Sequence, residues 1–243
     1  MDQREKIIDK YFINVKASPA YLDIYVVRNA IYNAIKEHIQ LFEGVVIDLG
    51  CGIKPYKELI CNNSNVISYT GIDFKSAIHE EYAMGKPELF WDGMTIPLDA
   101  NSADVILATE LLEHCAEPEN VLREINRVLK PGGKLIFTVP FLWCIHLVPH
   151  DEYRYTPFSM ERHLTNAGFG NVELKALGGW DASLAQMIGI WLTNRPMRFK
   201  KILGPILVRV AKFLYNKDRS FDKSAIRNDG VMITGMSGVA YKT

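Results

Sequence analysis

The chain has no net charge, no paired cysteines and no apolar run long enough to span a bilayer. Its 28 basic residues balance its 28 acidic ones, so it lacks the positive field typical of nucleic-acid-binding proteins, and we expect no nucleic acid partner. The apolar runs of its last third fall short of the ~20 residues that a transmembrane helix needs. No signal peptide is recognisable, and the four cysteines show no C-x-x-C or other paired spacing, which predicts reduced thiols in a cytoplasmic protein.

Metal-binding patterns are also scarce. Among the six histidines only His146 and His150 stand four residues apart. Pro149 between them disfavours the helix that would bring both rings onto one ion. We therefore predict no metal site.

The glycine-rich turn after the first predicted strand lacks a third glycine. A β-branched run, Val45–Ile47, is typical of a buried strand, and Asp48 stands at its carboxyl end. Gly50 and Gly52 remove Cβ atoms where a ligand approaches the backbone. The dinucleotide fingerprint needs a third small residue at the place that Pro55 occupies. The turn therefore disfavours a nicotinamide cofactor and suits a ligand with an amine and hydroxyls.

Two further acids follow at the ends of predicted strands. Asp73 ends the second strand 21 residues after Gly52, where a carboxylate can accept hydrogen bonds from two neighbouring ribose hydroxyls. Asp92 ends a third short strand and can accept a hydrogen bond from an adenine amine. These positions predict an adenosine-binding crevice.

Five motifs follow one another in the order of a known family. They are Asp-Leu-Gly-Cys-Gly at 48–52, Gly-Ile-Asp at 71–73, the acid at 92, Glu-Leu-Leu-Glu-His at 110–114 and Leu-Lys-Pro-Gly-Gly at 129–133. In these motifs the chain resembles the class I S-adenosylmethionine-dependent methyltransferases, and among them the methyltransferase type 11 group. The resemblance implies S-adenosylmethionine as cofactor. It also implies an α/β fold, a Rossmann-like three-layer sandwich with a seven-stranded, mostly parallel sheet whose last strand is antiparallel.

The resemblance implies roles for the turn and the acids. Gly50 and Gly52 would hold the methionine part of the cofactor, Asp73 the ribose, and Asp92 would face adenine. The full cofactor-binding set that we predict is Arg28, Asp48, Gly50, Cys51, Gly52, Asp73, Phe74, Asp92, Gly93 and Glu110. Arg28 lies on a predicted helix after Pro19, where its guanidinium either reaches the cofactor carboxylate or is solvated at the surface.

The segment 140–156 follows the fifth predicted strand and should border the acceptor. His146, Asp151 and Arg154 resemble an H…D-x-x-R-Y-T pattern of type 11 relatives, several of which are thought to modify glycans or lipids. We predict His146 as general base and Asp151 as its alternative or its orienting partner. In the structural alternative, Asp151 and Arg154 form an ion pair that anchors the loop. His114 is expected to be a wall residue.

We predict a single domain with helices in 1–44, a cofactor-binding core in 45–178, a helical insertion in 179–229 and the last strand in 230–243. The insertion carries eight basic residues and one acid between residues 194 and 219. One face of its second predicted helix is apolar, with Ile202, Leu203, Ile206, Leu207, Val210, Phe213 and Leu214. The insertion is therefore interpreted as a lid, a dimer surface or a peripheral contact with an anionic membrane.

The sequence as a whole predicts a methyltransferase that acts on an oxygen of a glycan or of a lipid-linked small molecule. A methyltransferase of quinone or isoprenoid-phenol synthesis is the nearest alternative. A non-catalytic module that binds S-adenosylmethionine is another.

Overall fold

A computed structural model describes residues 2–74, 85–196, 198 and 200–243 of the chain. Seven strands are interleaved with helices. The strands are β1 Glu43–Leu49, β2 Asn65–Phe74, β3 Leu89–Trp91, β4 Ala103–Thr109, β5 Leu129–Pro140, β6 Phe169–Ala176 and β7 Gly235–Lys242. The α-helices are α1 Gln3–Ile8, α2 Leu22–Glu37, α3 Lys57–Asn63, α4 Pro118–Val128, α5 Pro157–Asn166, α6 Trp180–Asn194 and α7 Lys200–Lys217.

The strands form one sheet in the order β3-β2-β1-β4-β5-β7-β6. β7 runs antiparallel to both of its neighbours, and the other strands are parallel to one another. This arrangement confirms the predicted fold. β5 begins at Leu129, because its pairing with β4 starts at Ala103, skips the Pro-Gly-Gly turn and resumes between Val105 and Lys134.

Helices cover both faces of the sheet. α4 and α5 pack on one face through an apolar row that includes Leu122, Ile125, Met160 and Leu164. α2 and α3 pack on the other face. Ile31 and Ile35 of α2 are buried with strand residues of the central sheet, because their spacing of four places both on one side of the helix.

The strand register sets the position of the crevice. Leu49 pairs with Ile72, and Asp73 pairs with Phe90. The backbone N–H groups of Gly50 and Cys51 both donate to the Ile72 carbonyl, at 2.8 and 3.1 Å. The glycine turn and Asp73 therefore lie at the same level on adjacent strands, about 5 Å apart by strand spacing. The ends of β1, β2 and β3 thus meet at the edge where parallel α/β sheets bind ligands.

α6 and α7 lie between β6 and β7 in the chain; α6 packs against α2, and α7 packs against α6. Gly189 makes the close approach of α6 to α2 feasible, since a Cβ there would overlap the Leu22 carbonyl. α7 buries Gly204, Val208 and Ala211. Five of the seven apolar residues that we predicted on one face of this helix are exposed, so small residues on the other side make the packing contact.

Candidate active site

The glycine turn leaves open backbone at the end of β1. Gly50 and Gly52 have φ of 72° and 50°, a region that residues with a Cβ seldom adopt. A Cβ on Gly50 would also lie 2.8 Å from Leu111 Cδ1, in the segment that follows β4. The turn therefore requires glycine, and it touches the loop that carries Glu-Leu-Leu-Glu-His.

Asp73 occupies the position predicted for the ribose acid. It is buried, Oδ2 accepts from the Gly52 N–H at 2.7 Å, and Oδ1 accepts from the Phe74 N–H at 2.7 Å. Burial raises the pKa of Asp73, while these two N–H groups lower it. Each oxygen retains acceptor capacity beyond its one backbone bond, so the carboxylate is held in place and can still bind a diol.

Asp92 lies one strand further along the edge. Its Oδ1 accepts from the N–H groups of Met94 and Thr95, both at 2.8 Å, and these bonds lower its pKa. Phe74 packs on Trp91 with ring centroids 4.9 Å apart. An aromatic pair beside an exposed carboxylate provides both an apolar surface for a base and an acceptor for its exocyclic amine.

The residues present fit an adenosyl cofactor. Along the edge, the glycine turn, Asp73 and Asp92 succeed one another over three adjacent strands, matching the order of methionine, ribose and adenine. The positive φ values of Gly50 and Gly52 and the close approach of Leu111 to Gly50 are the features that a side chain would disturb. Bound here, S-adenosylmethionine would supply an electrophilic methyl group on a sulfonium.

Two predicted cofactor residues lie beneath the turn. Asp48 is 2% exposed and accepts from the Tyr69 hydroxyl at 2.6 Å, and burial raises its pKa to about 7. Cys51 is also buried, and its sulfur lies behind Gly71. These side chains support the turn from below, so any contact of Cys51 with the cofactor is through its backbone.

Glu110 and Arg28 meet at the other side of the turn. Glu110 follows β4 with φ of 51°, an uncommon conformation for a residue with a side chain, and Oε1 accepts from the Thr138 hydroxyl at 2.9 Å. Burial raises the pKa of Glu110, whereas Thr138, Arg28 and Arg154 lower it. The Arg28 guanidinium lies over the Phe12 ring at 4.4 Å. The contacts of both residues with the cofactor remain a prediction.

The loop after β5 folds back over the segment that follows β4. The Glu113 carbonyl accepts from the N–H groups of Glu152 and Tyr153, and the Tyr155 hydroxyl donates to the Leu112 carbonyl at 2.8 Å. These long-range bonds hold the loop that we predict to border the methyl acceptor against the segment after β4, which touches the glycine turn.

His146 is oriented by Asp151. The Asp151 carboxylate is 3% exposed, and its Oδ2 lies 3.2 Å from Nδ1 of His146. The same carboxylate accepts two hydrogen bonds from Arg154, at 2.7 and 2.9 Å. Arg154 holds the pKa of Asp151 well below its usual range. Such a carboxylate is a poor base, so the structure favours the orienting role of Asp151 over the catalytic one. The predicted Asp151–Arg154 ion pair is also present, and both features share one carboxylate.

The sequence did not single out Glu113, which lies in the centre of this group. Its carboxyl is fully buried, and neither oxygen has a hydrogen-bond partner among the described residues. Burial raises the pKa of Glu113 well above its ordinary value, and Glu110 raises it further. His114 lies beside it, with Nε2 3.7 Å from Oε1, and its ring is 4.8 Å from that of His146. The sequence signal that could have identified Glu113 is its place in the motif Glu-Leu-Leu-Glu-His, between two other residues with chemically active side chains.

This cluster also has the ligand types of a cation site. One atom from each of Glu113, His114 and His146 lies within 4.8 Å of the others. Imidazole nitrogen with carboxylate oxygen suits several divalent metals. A chelation control therefore belongs in any assay of this site.

Comparison with known proteins places the core in one family. A family model described as "Methyltransferase domain" matches residues 47–137. The chain is 33% identical over 100 residues to a malonyl-[acyl-carrier protein] O-methyltransferase of Alcanivorax borkumensis, across 39% of this chain and 34% of that one. It is 29% identical over 184 residues to a ubiquinone biosynthesis O-methyltransferase of Stutzerimonas stutzeri, across 68% of this chain and 75% of that one.

A solved structure shares the fold. A possible histamine N-methyltransferase of Thermotoga maritima superposes with a TM-score of 0.56 at 13% identity, over 98% of each chain. This likeness supports the fold alone. The motifs, the family match and the crevice support S-adenosylmethionine as the cofactor. Taken together, they identify residues 47–137 as a methyltransferase domain and bear out the resemblance of the chain to the class I S-adenosylmethionine-dependent methyltransferases.

Proposed function

We propose that the protein transfers a methyl group to a hydroxyl oxygen of a small acceptor, with His146 as the base that removes the hydroxyl proton. The observation that supports this most strongly is the His146–Asp151 pair at the carboxyl edge of the sheet. Since Arg154 keeps Asp151 ionised, the carboxylate accepts a bond from Nδ1–H. Nε2 of His146 is then left with a lone pair for the acceptor proton.

Transfer forms an oxygen–methyl bond while the sulfur–methyl bond breaks, and the sulfur keeps the bonding electron pair. The acceptor proton passes to His146 Nε2, and Asp151 stabilises the imidazolium that results. The glycine turn and Asp73 position the donor, while the loop 141–156 covers the reacting groups. Positioning and exclusion of water carry most of the rate enhancement in such a displacement.

The neighbouring groups leave this role to His146. Burial lowers the pKa of His114, and its Nδ1 lies 2.7 Å from the His150 carbonyl. Burial raises the pKa of Glu113, which disfavours the carboxylate form that could accept a proton. Both neighbours are therefore weaker candidates for the base than His146.

The acceptor that we propose is a glycan or another hydroxyl compound carried on a lipid. The loop beside His146 exposes apolar side chains at Ile145, Leu147 and Val148, which suit an acceptor with an apolar body. As a second candidate, the similarity to ubiquinone biosynthesis O-methyltransferases favours a phenol with an isoprenoid tail. A module that only binds S-adenosylmethionine would have no use for the oriented His146.

Incubation of the purified protein with methyl-labelled S-adenosylmethionine tests this proposal. Polar lipid extracts, lipid-linked glycans, soluble glycans and isoprenoid phenols would be offered separately, with and without a chelator. We expect a labelled methyl ether in one acceptor class, and its loss in His146→Gln.

His163→Gln is the matched control, since His163 also pairs with a carboxylate, Glu119 at 3.1 Å, but on the scaffold between α4 and α5. Label on nitrogen or carbon would contradict the proposal, as would equal activity of His146→Gln and the wild type. Loss of activity with the chelator would assign the His146 cluster to a metal instead.

A further inference from the structure

α6 and α7 each present a row of exposed apolar side chains. On α6 the exposed residues fall at i, i+4, i+7 and i+11, and on α7 at i, i+4, i+8 and i+11, so each row lies on one side of its helix. Both rows together form the α6–α7 surface: Trp180, Leu184, Met187, Trp191, Ile202, Ile206, Val210 and Phe213. Trp180 is 65% exposed and Phe213 is 67% exposed, so large side chains stand outside the fold.

These rows are not the packing faces of the helices. α6 and α7 pack on α2 through a different, largely small set that includes Ala182, Ala185 and Ala211. The Trp180 indole is fixed in its exposed place, since Nε1 donates to the Gly230 carbonyl at 2.8 Å. An ordered surface with two tryptophans on adjacent helices is typical of a binding face.

Positive charge accompanies the apolar rows. Lys201, Arg209 and Lys212 of α7 are exposed and form no ion pair within the described part of the chain. Lys217 pairs with Asp181 at 3.1 Å. The surroundings therefore carry several uncompensated cations in a chain whose net charge is zero.

We propose that the α6–α7 surface lies on an anionic lipid bilayer. Apolar side chains beside basic ones fit the boundary between acyl chains and anionic headgroups, where tryptophan is also favoured. A symmetric second copy fits less well, because a self-complementary contact would bring the same three cations towards each other. No helix of the described residues is both long and apolar enough to cross a membrane, which agrees with contact from one side.

The surface begins at the same edge of the sheet as the crevice, after the outermost strand β6. β6 runs parallel to β5, since β7 is antiparallel to both, so the carboxyl end of β6 lies at the same sheet edge as Gly50 and Asp73. α6 starts at Trp180, soon after that end. A protein resting on this surface would bring its acceptor edge near the lipid. The choice of a lipid-linked acceptor rests on the proposed function. Binding of the protein to the bilayer does not depend on that function.

Co-sedimentation with vesicles tests the proposal. The full chain would be mixed at low salt with vesicles of phosphatidylcholine alone or with phosphatidylglycerol added. We expect binding only to the anionic vesicles. Each basic residue near such a surface contributes about fivefold in partitioning, so the triple variant Lys201→Gln, Arg209→Gln, Lys212→Gln should bind roughly 100-fold more weakly. A second variant, Ile206→Ser with Phe213→Ser, should also lose binding.

The matched control removes three exposed basic residues elsewhere, Lys36→Gln, Lys86→Gln and Arg162→Gln. Thermal melting of every variant separates lost binding from lost folding. The proposal fails if the wild type stays in the supernatant with anionic vesicles, or if the control loses as much binding as the triple variant. It also fails if light scattering shows a dimer that the Ile206→Ser, Phe213→Ser variant abolishes.

The same variants distinguish this inference from the proposed function. Transfer to a water-soluble acceptor should be unchanged in the triple variant, while transfer to a vesicle-bound acceptor should fall with binding. If anionic vesicles bind and no oxygen acceptor is methylated, the bilayer contact stands and the proposed function falls.

Discussion

Substitution Asp73→Asn should weaken cofactor binding by a predictable amount. The carboxylate uses one acceptor site of each oxygen for the N–H groups of Gly52 and Phe74, at 2.7 Å each. The remaining sites face the crevice, where two ribose hydroxyls can each donate a bond. Hydrogen bonds to a charged group contribute about 1.5–3 kcal/mol each.

Asparagine has one oxygen, so it can accept from only one side. Its amide N–H₂ would also face a backbone N–H that needs an acceptor. We therefore expect a loss of about 2–4 kcal/mol, which corresponds to roughly 30- to 700-fold in Kd. Isothermal titration with S-adenosylhomocysteine measures this directly and needs no acceptor.

Asp104→Asn is the control for general destabilisation. Asp104 also accepts a backbone N–H, that of Val45 at 2.8 Å, and pairs with Lys130. It lies near the amino end of β4, at the opposite edge of the sheet. The control should melt at a lower temperature and keep its affinity. An unchanged Kd in folded Asp73→Asn would refute the ribose assignment.

Three further predictions concern the base, the turn and the insertion. His146→Gln should lower kcat by about 10²- to 10⁴-fold, whereas His163→Gln should keep the wild-type kcat; an unchanged kcat in His146→Gln would exclude His146 as the base. Burial raises the pKa of Asp48 to about 7 in the folded state, against ~4 in the unfolded state. The folded state therefore holds a proton that the unfolded state releases, and the free energy of unfolding falls by on the order of 3–4 kcal/mol as the pH rises from ~4 to 7. Asp48→Asn should therefore unfold at a higher temperature than the wild type at pH 8, with no difference near pH 4 in calorimetry, and a difference independent of pH would contradict the burial argument. Gly189→Ala should destabilise by about 1–3 kcal/mol in denaturant unfolding, because its Cβ overlaps the Leu22 carbonyl; full stability would mean that α6 can move away from α2.

The sequence predicts the cofactor edge well because local signals coincide there. β-branched runs identify β1 and β4, and an acid at each strand end predicts Asp73 and Asp92. Parallel strands bring such residues to one edge whatever the loops do. The antiparallel direction of β7, by contrast, came only from the family resemblance. Its position between β5 and β6 is a finding of the structure, since pairing across some fifty intervening residues leaves no local pattern.

The acceptor side was predicted less completely. Glu113, His114 and His146 meet because the loop after β5 folds back on the Glu113 carbonyl, a long-range contact that spacing in the sequence does not encode. Similarly, the periodicity of α7 identifies an apolar row without showing whether it packs. Gly204 and Ala211 allow the opposite side to approach α2 and α6 more closely.

A crystal structure with S-adenosylhomocysteine would show whether the crevice holds the cofactor as proposed. We expect adenine beside Asp92 and the Phe74 ring, both ribose hydroxyls within hydrogen-bond distance of Asp73, and the sulfur directed towards His146. The ligand at another place, or with its sulfur directed away from the loop 141–156, would contradict the proposed binding.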